Sequence, residues 1–141
     1  MHNWPIRVYY DDTDCGGVVY HSNYLKFMEQ ARTEWLRCLG LEQDLLIEQY
    51  GLIFAVRSLS IDYLKPALFN QLLRVESQIK NQTKVSILFK QAIFLDQEEN
   101  KSQLLSTADV KIVSLAYDNQ KKKILGPKKL PADIYETMFK V

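Results

Sequence analysis

The sequence predicts an α+β fold in which one long helix packs against an antiparallel sheet. Three observations support this: a short strand pattern precedes a long amphipathic helix, four longer strand patterns follow it, and short polar turns join those four. Consecutive strands joined by tight turns pair antiparallel. The helix must bury an apolar stripe, and the sheet face is the only large partner available. The length of 141 residues fits a single domain spanning residues 1–141.

The first elements are a short strand and a turn-rich loop. Residues 6–10 are rich in β-forming side chains and predict the strand. Residues 11–17 contain three aspartates and two glycines, which is typical of a loop.

The long helix is predicted from apolar residues that recur at helical spacing, namely Tyr24, Met28, Ala31, Trp35 and Leu39. Ser22 or Asn23 is expected to cap its start, and Gly40 is expected to end it. A second, short helix is expected over residues 42–49, ending at Gly51.

The remainder of the chain changes to a β pattern. Four strands are expected, at residues 53–63, 72–79, 85–95 and 104–115. Charged or polar turns are expected at residues 81–83, 96–101 and 118–123, and a last helix at residues 132–139. Edge strands of this length favour pairing with another copy, so we expect at least a dimer.

Composition and charge argue against several classes of protein. The formal net charge of +1 gives no electrostatic reason to expect binding to nucleic acid or to a membrane surface. No apolar run approaches the roughly 18 residues of a membrane span, and the first residues do not resemble a signal peptide. Cys15 and Cys38 fit no metal or redox spacing and indicate reduced thiols. We therefore expect a cytoplasmic protein.

The stretch VYYDDTDCGGVVYH, residues 8–21, suggests a catalytic site. Asp11 and Asp12 are interpreted as turn residues. Asp14 differs, because two glycines that allow close approach of a ligand follow it, and His21 then lies near the helix start. Unpaired backbone amides at a helix N-terminus can stabilise an oxyanion. A carboxylate beside such donors is what acyl transfer to water needs.

Other site types lack their signatures. The chain has no G-x-S-x-G nucleophile motif, phosphate loop, HExxH zinc motif or GxGxxG fingerprint. His2 and His21 are its only histidines, so we expect no metal site built from several histidines.

Residues 10–24 match the pattern Y-x-D-T-D-x-x-G-V-V-Y-H-x-N-Y, and this stretch resembles the N-terminal signature of hotdog-fold thioesterases. It is most similar to the 4-hydroxybenzoyl-CoA thioesterase family and its Tol-Pal-associated, YbgC-type branch. Residues 62–67 (DYLKPA) and 84–94 (KVSILFKQAIF) resemble later strands of that family. The resemblance implies a hotdog fold, a five-stranded antiparallel sheet wrapped around one long helix, assembled as dimers and often tetramers.

The resemblance also implies a reaction, the hydrolysis of acyl-CoA to a free acid and coenzyme A. It assigns the catalytic aspartate to Asp14, further site residues to Tyr10 and His21, and the polarising amide to the helix start near His21. Asp14 acts either as general base or as nucleophile. Tyr10 is expected either to hydrogen-bond Asp14 and fix its side chain or to be an aromatic residue of the first strand. Cys15 and the pair at residues 70–71 depart from the family pattern, and Cys15 adds a site of possible oxidation.

Substrate binding is expected to involve residues near the loop and basic residues elsewhere. Gly17, Asn23 and Tyr24 are candidates around the acyl group, although cap or core roles also suit the latter two. Candidates for the coenzyme A phosphates are basic residues, namely Arg57, Lys84, Lys90, Lys121 to Lys123, Lys128 and Lys129. We expect no cofactor, because coenzyme A is part of the substrate. Acyl carrier protein is an alternative acyl donor, and a partner subunit is expected to complete the acyl pocket.

Two other functions and one other catalytic residue remain open. A non-catalytic hotdog module could bind acyl chains or acyl carrier protein, but it would not need Asp14, Tyr10 and His21 together. A hotdog dehydratase would need a histidine base and a different motif at the helix start. Some hotdog thioesterases use a helix glutamate, but for Glu29 we favour a structural pair with Arg32 three residues later.

Overall fold

The computed structural model describes residues 1–14, 16–97 and 101–139. In these ranges three α-helices are present: α1 (His21–Cys38), α2 (Gln43–Tyr50) and α3 (Ala132–Phe139). A 3-10 turn covers Tyr10–Asp12. The strands are β1 (His2–Arg7), β2 (Leu52–Tyr63), β3 (Leu72–Gln82), β4 (Ser86–Asp96), β5 (Ser102–Asp118) and β6 (Lys123–Pro127).

The strands form one antiparallel sheet in the order β1-β3-β4-β5-β2. β6 also pairs with β5, beyond the point where β4 begins its pairing. Ser86 of β4 pairs with Val113, and Pro127 of β6 pairs with Leu115 farther along β5. The predicted antiparallel hotdog sheet is confirmed. Among the described residues it has six strands rather than the five predicted, and β6 is the strand that was not predicted.

Helix α1 packs on one face of this sheet, closest to β1 and β3. Its buried side chains are Tyr24, Phe27, Met28, Ala31 and Leu36. Phe27 and Met28 are almost completely buried, which is worth roughly 1.5–3 kcal/mol for each side chain. The stripe predicted from the sequence therefore faces the sheet, although Trp35 and Leu39 lie at its half-buried margin.

A buried polar contact ties the helix to the sheet. Gln91 of β4 is fully buried, and its amide nitrogen donates to the carbonyl of Met28 at 3.0 Å and to the hydroxyl of Ser77 at 2.9 Å. Arg32 donates to the side-chain oxygen of Gln91 at 2.8 Å. Every hydrogen-bonding atom of the Gln91 amide group is thus engaged, as burial of a polar group requires.

The predicted C-terminal ends of α1 and α2 are confirmed, but the predicted N-cap of α1 is not. Gly40 and Gly51 follow the helices with positive φ of 79° and 57°, where glycine is favoured, and they end α1 and α2 as predicted. The predicted cap at Ser22 or Asn23 is wrong, because α1 begins at His21 and Tyr20 is its N-cap. The Asn23 side chain instead donates to the carbonyl of Asp12 at 2.7 Å.

Candidate active site

Asp14 lies in a tight loop that its own hydrogen bonds close. Its amide donates to the carbonyl of Val18 at 3.0 Å, and its carbonyl accepts from the amide of Gly17 at 3.1 Å. Its carboxylate accepts from the amide of Gly16 at 2.9 Å. Gly17 has φ +77°, a conformation that strains other residues. The loop therefore holds an exposed carboxylate at a defined position.

The segment before β3 fixes this loop from outside. The amide of Val19 donates to the carbonyl of Ala67 at 2.9 Å, and the amide of Phe69 donates to the carbonyl of Gly17 at 3.0 Å. Tyr24, buried in α1, accepts a hydrogen bond from the amide of Ala67 at 2.9 Å through its hydroxyl oxygen. Loop, segment and helix start are thus joined into one unit.

Asp12 is the structural member of the aspartate cluster, as the sequence predicted. Its carboxylate is buried, accepts from the amide of Tyr9 at 2.9 Å and pairs with Lys26 at 2.6 Å. Its carbonyl accepts from the amide of Tyr20 at 3.1 Å. Asp12 therefore anchors the 3-10 turn to the first turn of α1, whereas Asp14 is exposed.

The first turn of α1 presents unpaired backbone donors. The amide of Asn23 donates to the carbonyl of Tyr20, but those of His21 and Ser22 have no acceptor among residues 1–14, 16–97 and 101–139. Such amides carry a partial positive charge that favours anions. The carbonyl of His21 accepts from the hydroxyl of Tyr63 at 3.0 Å, which fixes this turn against the end of β2.

The side chain of His21 is exposed and lies among aromatic rings. Its ring centroid is 4.3 Å from that of Tyr20 and 6.1 Å from that of Tyr63. Burial of part of the Tyr63 ring raises the pKa of its hydroxyl, so the phenol stays protonated and able to donate. An exposed carboxylate on a fixed loop and free amides at an adjacent helix start can together activate water and stabilise an oxyanion.

Tyr10 does not occupy the predicted position. It belongs to the 3-10 turn rather than to β1, its side chain is 80% exposed, and its ring meets that of Phe69 edge-on at 5.9 Å. The expected hydrogen bond from Tyr10 to Asp14 is not formed in the described structure. Tyr10 borders the loop through its ring instead.

The predicted substrate-binding residues separate into two groups. Gly17, Asn23 and Tyr24 lie in the loop and the first turn of α1, where Asn23 and Tyr24 make the structural contacts described above. Arg57 on β2 and Lys90 on β4 are exposed. Arg57 precedes Tyr63, which contacts the start of α1, by six residues, and Lys90 pairs with Gln78, six residues along β3 from its start, so each lies about 20 Å along a strand from the end near the loop. Lys84 follows β3, whose 11 residues span roughly 35 Å and separate it from the segment that holds Asp14.

The structure also locates Lys128, Glu29 and Cys38, which the sequence analysis singled out. Lys128 donates to the carbonyl of Tyr50 at 2.8 Å, a structural contact. Glu29 is exposed, and no ion pair with Arg32 lies within 4.0 Å in the described ranges. Cys38 is an exposed free thiol, whereas Cys15 lies outside the described residues.

The described part of the chain holds no cluster of three or more His, Cys, Asp or Glu side chains that could bind a metal ion. None of its helices combines the length and the apolar character that a membrane span requires.

Sequence reasoning missed Tyr63, the segment around Ala67, and Gln91. Tyr63 and Ala67 lie within the stretch DYLKPA, whose family resemblance was the available signal, but nothing local indicated their contacts with α1. Gln91 stands in an apolar strand pattern, and an isolated amide there was the only sign of a buried polar contact.

The sequence and the fold of this chain are similar to those of known thioesterases. The family model described as "Thioesterase superfamily" matches residues 16–101. The acyl-CoA thioesterase YbgC of Haemophilus influenzae is 41% identical over 130 residues, covering 92% of this chain and 91% of the relative. The acyl-CoA thioester hydrolase YbgC of Escherichia coli O6:H1 is 37% identical over 134 residues, covering 95% and 92%.

Solved structures show the same architecture. The probable thioesterase from Bartonella henselae matches with a TM-score of 0.79 and 34% identity, over 92% of this chain and 98% of that chain. A mutant 4-hydroxybenzoyl-CoA thioesterase in complex with 4-hydroxybenzoyl-CoA matches with a TM-score of 0.86 over 96% of each chain. At 20% identity, this second match concerns the fold alone.

Proposed function

Because the chain belongs to the thioesterase superfamily and hydrolyses acyl-CoA thioesters, we propose that Asp14 is the catalytic carboxylate and that the backbone amide of His21 polarises the thioester carbonyl. One observation carries this proposal: the loop that holds the exposed Asp14 side chain leads into a helix start whose first amides have no acceptor among the described residues.

The chemistry needs these two groups and little else. The leaving thiol has a pKa of about 8.5, so it departs as a thiolate without a strong acid. In one route Asp14 removes a proton from water as the water oxygen attacks the carbonyl carbon. In the other, the Asp14 oxygen attacks, coenzyme A leaves, and water then hydrolyses the mixed anhydride. In both, the carbonyl oxygen becomes negative and is stabilised by the amide of His21.

The other site residues would orient groups around this centre. We propose that the His21 imidazole orients the attacking water, and that the Tyr10 ring, packed on Phe69, borders the thioester group. Gly17, with no side chain, leaves room for the substrate at the loop, and Asn23 and Tyr24 support the acyl-binding wall.

We propose that the working enzyme is a homodimer that pairs further into a homotetramer. The outer edge of β2 has no partner strand in the described structure, and Val56 and Leu59 on it are 47% and 41% exposed. An unpaired edge of this length is a template for a second copy. Since Arg57, Lys84 and Lys90 lie far from Asp14 in one chain, we propose that they contact coenzyme A bound at a neighbouring copy.

The biological setting is inferred from the resemblance alone. We propose a cytoplasmic enzyme associated with the Tol-Pal system, with no cofactor of its own, that hydrolyses acyl-CoA, with acyl carrier protein as the alternative acyl donor. The same lysines that would bind coenzyme A phosphates could bind an acidic carrier.

Thiol release from acetyl-, decanoyl-, palmitoyl- and 4-hydroxybenzoyl-CoA, followed with a chromogenic thiol reagent, tests the proposal. Asp14→Asn should lose at least about a hundredfold in kcat, in line with the loss of a general base or a nucleophile. Asp11→Asn, a change of the same type at an exposed neighbour in the same segment, should remain within about twofold. Full activity in a folded Asp14→Asn protein would contradict the assignment. No release from any thioester would favour the non-catalytic binding module.

A further inference from the structure

A cavity lies beside α1 in the half of the helix away from Asp14. It has a volume of about 280 Å³ and extends between α1 and strands β2, β4 and β5. Most of its wall is apolar, formed by Trp35, Leu36, Phe54, Ile87, Phe89 and Ile112.

A second space, a groove of about 290 Å³, runs along α1 toward its start. Ser22, the residue after His21, lines the groove, and Glu29, Arg32 and Val56 line both the groove and the cavity. Arg32 is therefore a wall residue of both spaces. Besides Lys26 and Glu29, the groove wall contains Leu25, Leu59 and Val110. An acyl group that starts at the amide of His21 therefore has a partly apolar path along the helix toward this arginine.

Arg32 is the unusual member of this wall. Its guanidinium is half-buried and makes one hydrogen bond, to the side-chain oxygen of Gln91 at 2.8 Å. Among the described residues no carboxylate lies within 4.0 Å of it. Burial lowers the pKa of Arg32, and the more distant charge of Glu29 only partly opposes this effect. The cation therefore lies in a mostly apolar wall without a direct ion pair, and Glu29 of the same wall is the charge that acts on it from a distance.

Gln91 holds the guanidinium in place. Because its amide nitrogen is committed to Met28 and Ser77, its oxygen is fixed in the direction of Arg32. A guanidinium has five N–H donors, and Gln91 accepts only one. The remaining donors are available to a ligand in the cavity.

The energetics favour a particular kind of ligand. A plain alkyl chain that displaced water from Arg32 would leave charged donors without acceptors, which costs free energy. An acyl group with an oxygen at its far end would replace the lost water as acceptor. Sites of this kind discriminate strongly against analogues that lack the matching polar group.

We propose that Arg32 is a specificity-determining residue that selects acyl groups with a carboxylate or hydroxyl at the end remote from the thioester. Ser22 and Arg32 are ten positions apart, about 15 Å along the helix. Arginine in a helix leans toward the N-terminus, which shortens this span. At roughly 1.2 Å per chain atom, taken from the length of an extended residue, a chain of about eight to twelve carbons fits.

Matched acyl-CoA pairs that differ only at the far end test the proposal. The pairs are octanoyl and octanedioyl, decanoyl and decanedioyl, and dodecanoyl and dodecanedioyl, with 10-hydroxydecanoyl-CoA as a neutral probe. The wild type should prefer the oxygen-bearing member at the best-fitting length, by about ten- to a hundredfold in kcat/KM, the range carried by hydrogen bonds to a charged group. A wild type that prefers the plain chain in every pair would overturn the proposal.

Variants assign the selectivity to the guanidinium. Arg32→Met keeps the length and removes the donors, so activity on the dioyl substrate should fall while activity on the plain chain is kept or rises. Arg32→Lys keeps the positive charge but loses the planar set of guanidinium N–H donors, so it should retain part of the preference for the oxygen-bearing substrate. The control is Arg37→Met on the same helix, where the arginine is exposed and paired with Glu34 and Glu42. Equal losses on both substrates in both Arg32 variants would mean that Arg32 only ties helix to sheet.

This inference rests on the proposed function, and binding measurements separate the two. In Asp14→Asn, calorimetry should show tighter binding of decanedioyl-CoA than of decanoyl-CoA, and Arg32→Met in that background should remove the difference. An Asp14→Asn protein that still turns over would refute the catalytic assignment and leave the selectivity of the wild type intact. Equal dissociation constants for all pairs would refute the role of Arg32 even if Asp14 is essential.

Discussion

A proline at position 21 tests the oxyanion donor with little disturbance of the fold. His21 is the first residue of α1, the position at which proline is favoured in helices. Tyr20, which precedes it, has φ −65° and ψ 137°, the conformation that a following proline requires. The amide of His21 has no acceptor in the described structure, so His21→Pro removes no internal hydrogen bond.

The magnitude follows from what this amide does in the proposed mechanism. Loss of one oxyanion donor typically costs about a hundred- to a thousandfold in kcat, or roughly 3–4 kcal/mol. His21→Ala keeps the amide and removes only the imidazole. The ratio of kcat between the alanine and proline variants therefore isolates the backbone donor, and we expect it to be about a hundredfold or more.

The assay is thiol release under saturating substrate, with thermal unfolding of both variants measured beside it. The hydrogen bond from Tyr63 to the carbonyl of His21 is unaffected by either change, so unfolding temperatures should agree closely. If the folded proline variant has a kcat within about threefold of the alanine variant, the amide of His21 is not the oxyanion donor.

Three further predictions concern stability. Asp12→Ala should lower the free energy of unfolding, measured in urea, by about 2 kcal/mol, because it removes a buried charged acceptor; a loss below about 0.5 kcal/mol would contradict the anchoring role. Gly51→Ala should cost more than Gly40→Ala, since a Cβ at position 51 would lie 3.0 Å from a backbone oxygen whereas position 40 is open; equal losses would be unexpected. The hydrogen bond from Arg74 holds the pKa of Asp96 below its ordinary 3.8. A depressed pKa contributes stability that is fully present above the unfolded value and is lost as pH falls through the folded value. The stability difference between wild type and Arg74→Met, measured in acid titrations, should therefore be larger at pH 7, by less than about 1 kcal/mol for this partly exposed pair, and should shrink as pH falls below about 3.8.

Local patterns in the sequence predicted most of the sheet. The four long strands lie within a few residues of their expected positions because alternating side chains and polar turns are local signals. The first strand is observed at His2–Arg7 rather than at residues 6–10. The turn expected at residues 96–101 includes residues 98–100, which lie outside the described ranges.

β6 could not be predicted from its own residues. It has five residues, and Gly126 and Pro127 argue against a strand. It forms because β5 extends to Asp118, beyond Val113, where its pairing with the first residue of β4 lies, and offers a free edge with which Ile124 and Lys123 pair. The partner, and not the local pattern, decides this element.

In the candidate site, too, contacts between sequence neighbours were predictable and contacts between distant residues were not. The loop with Asp14 and the helix start at His21 were predicted from one short motif, since they are neighbours in the chain. Tyr63, which bonds His21, and Gln91, which bonds Arg32, are 42 and 59 residues from their partners. Contacts across such separations arise from the packing of α1 on the sheet, so a single sequence does not indicate them.

The most direct test of the central claim is the single-turnover rate constant of Asp14→Asn at saturating enzyme, with the dissociation constant of the same acyl-CoA measured in parallel. If Asp14 performs the chemistry, the rate constant falls by about a hundred- to ten-thousandfold, the contribution typical of a positioned base, while the dissociation constant changes by less than about threefold. A rate constant close to that of the wild type, with weakened binding, would show that Asp14 only holds the substrate and that another group activates the water.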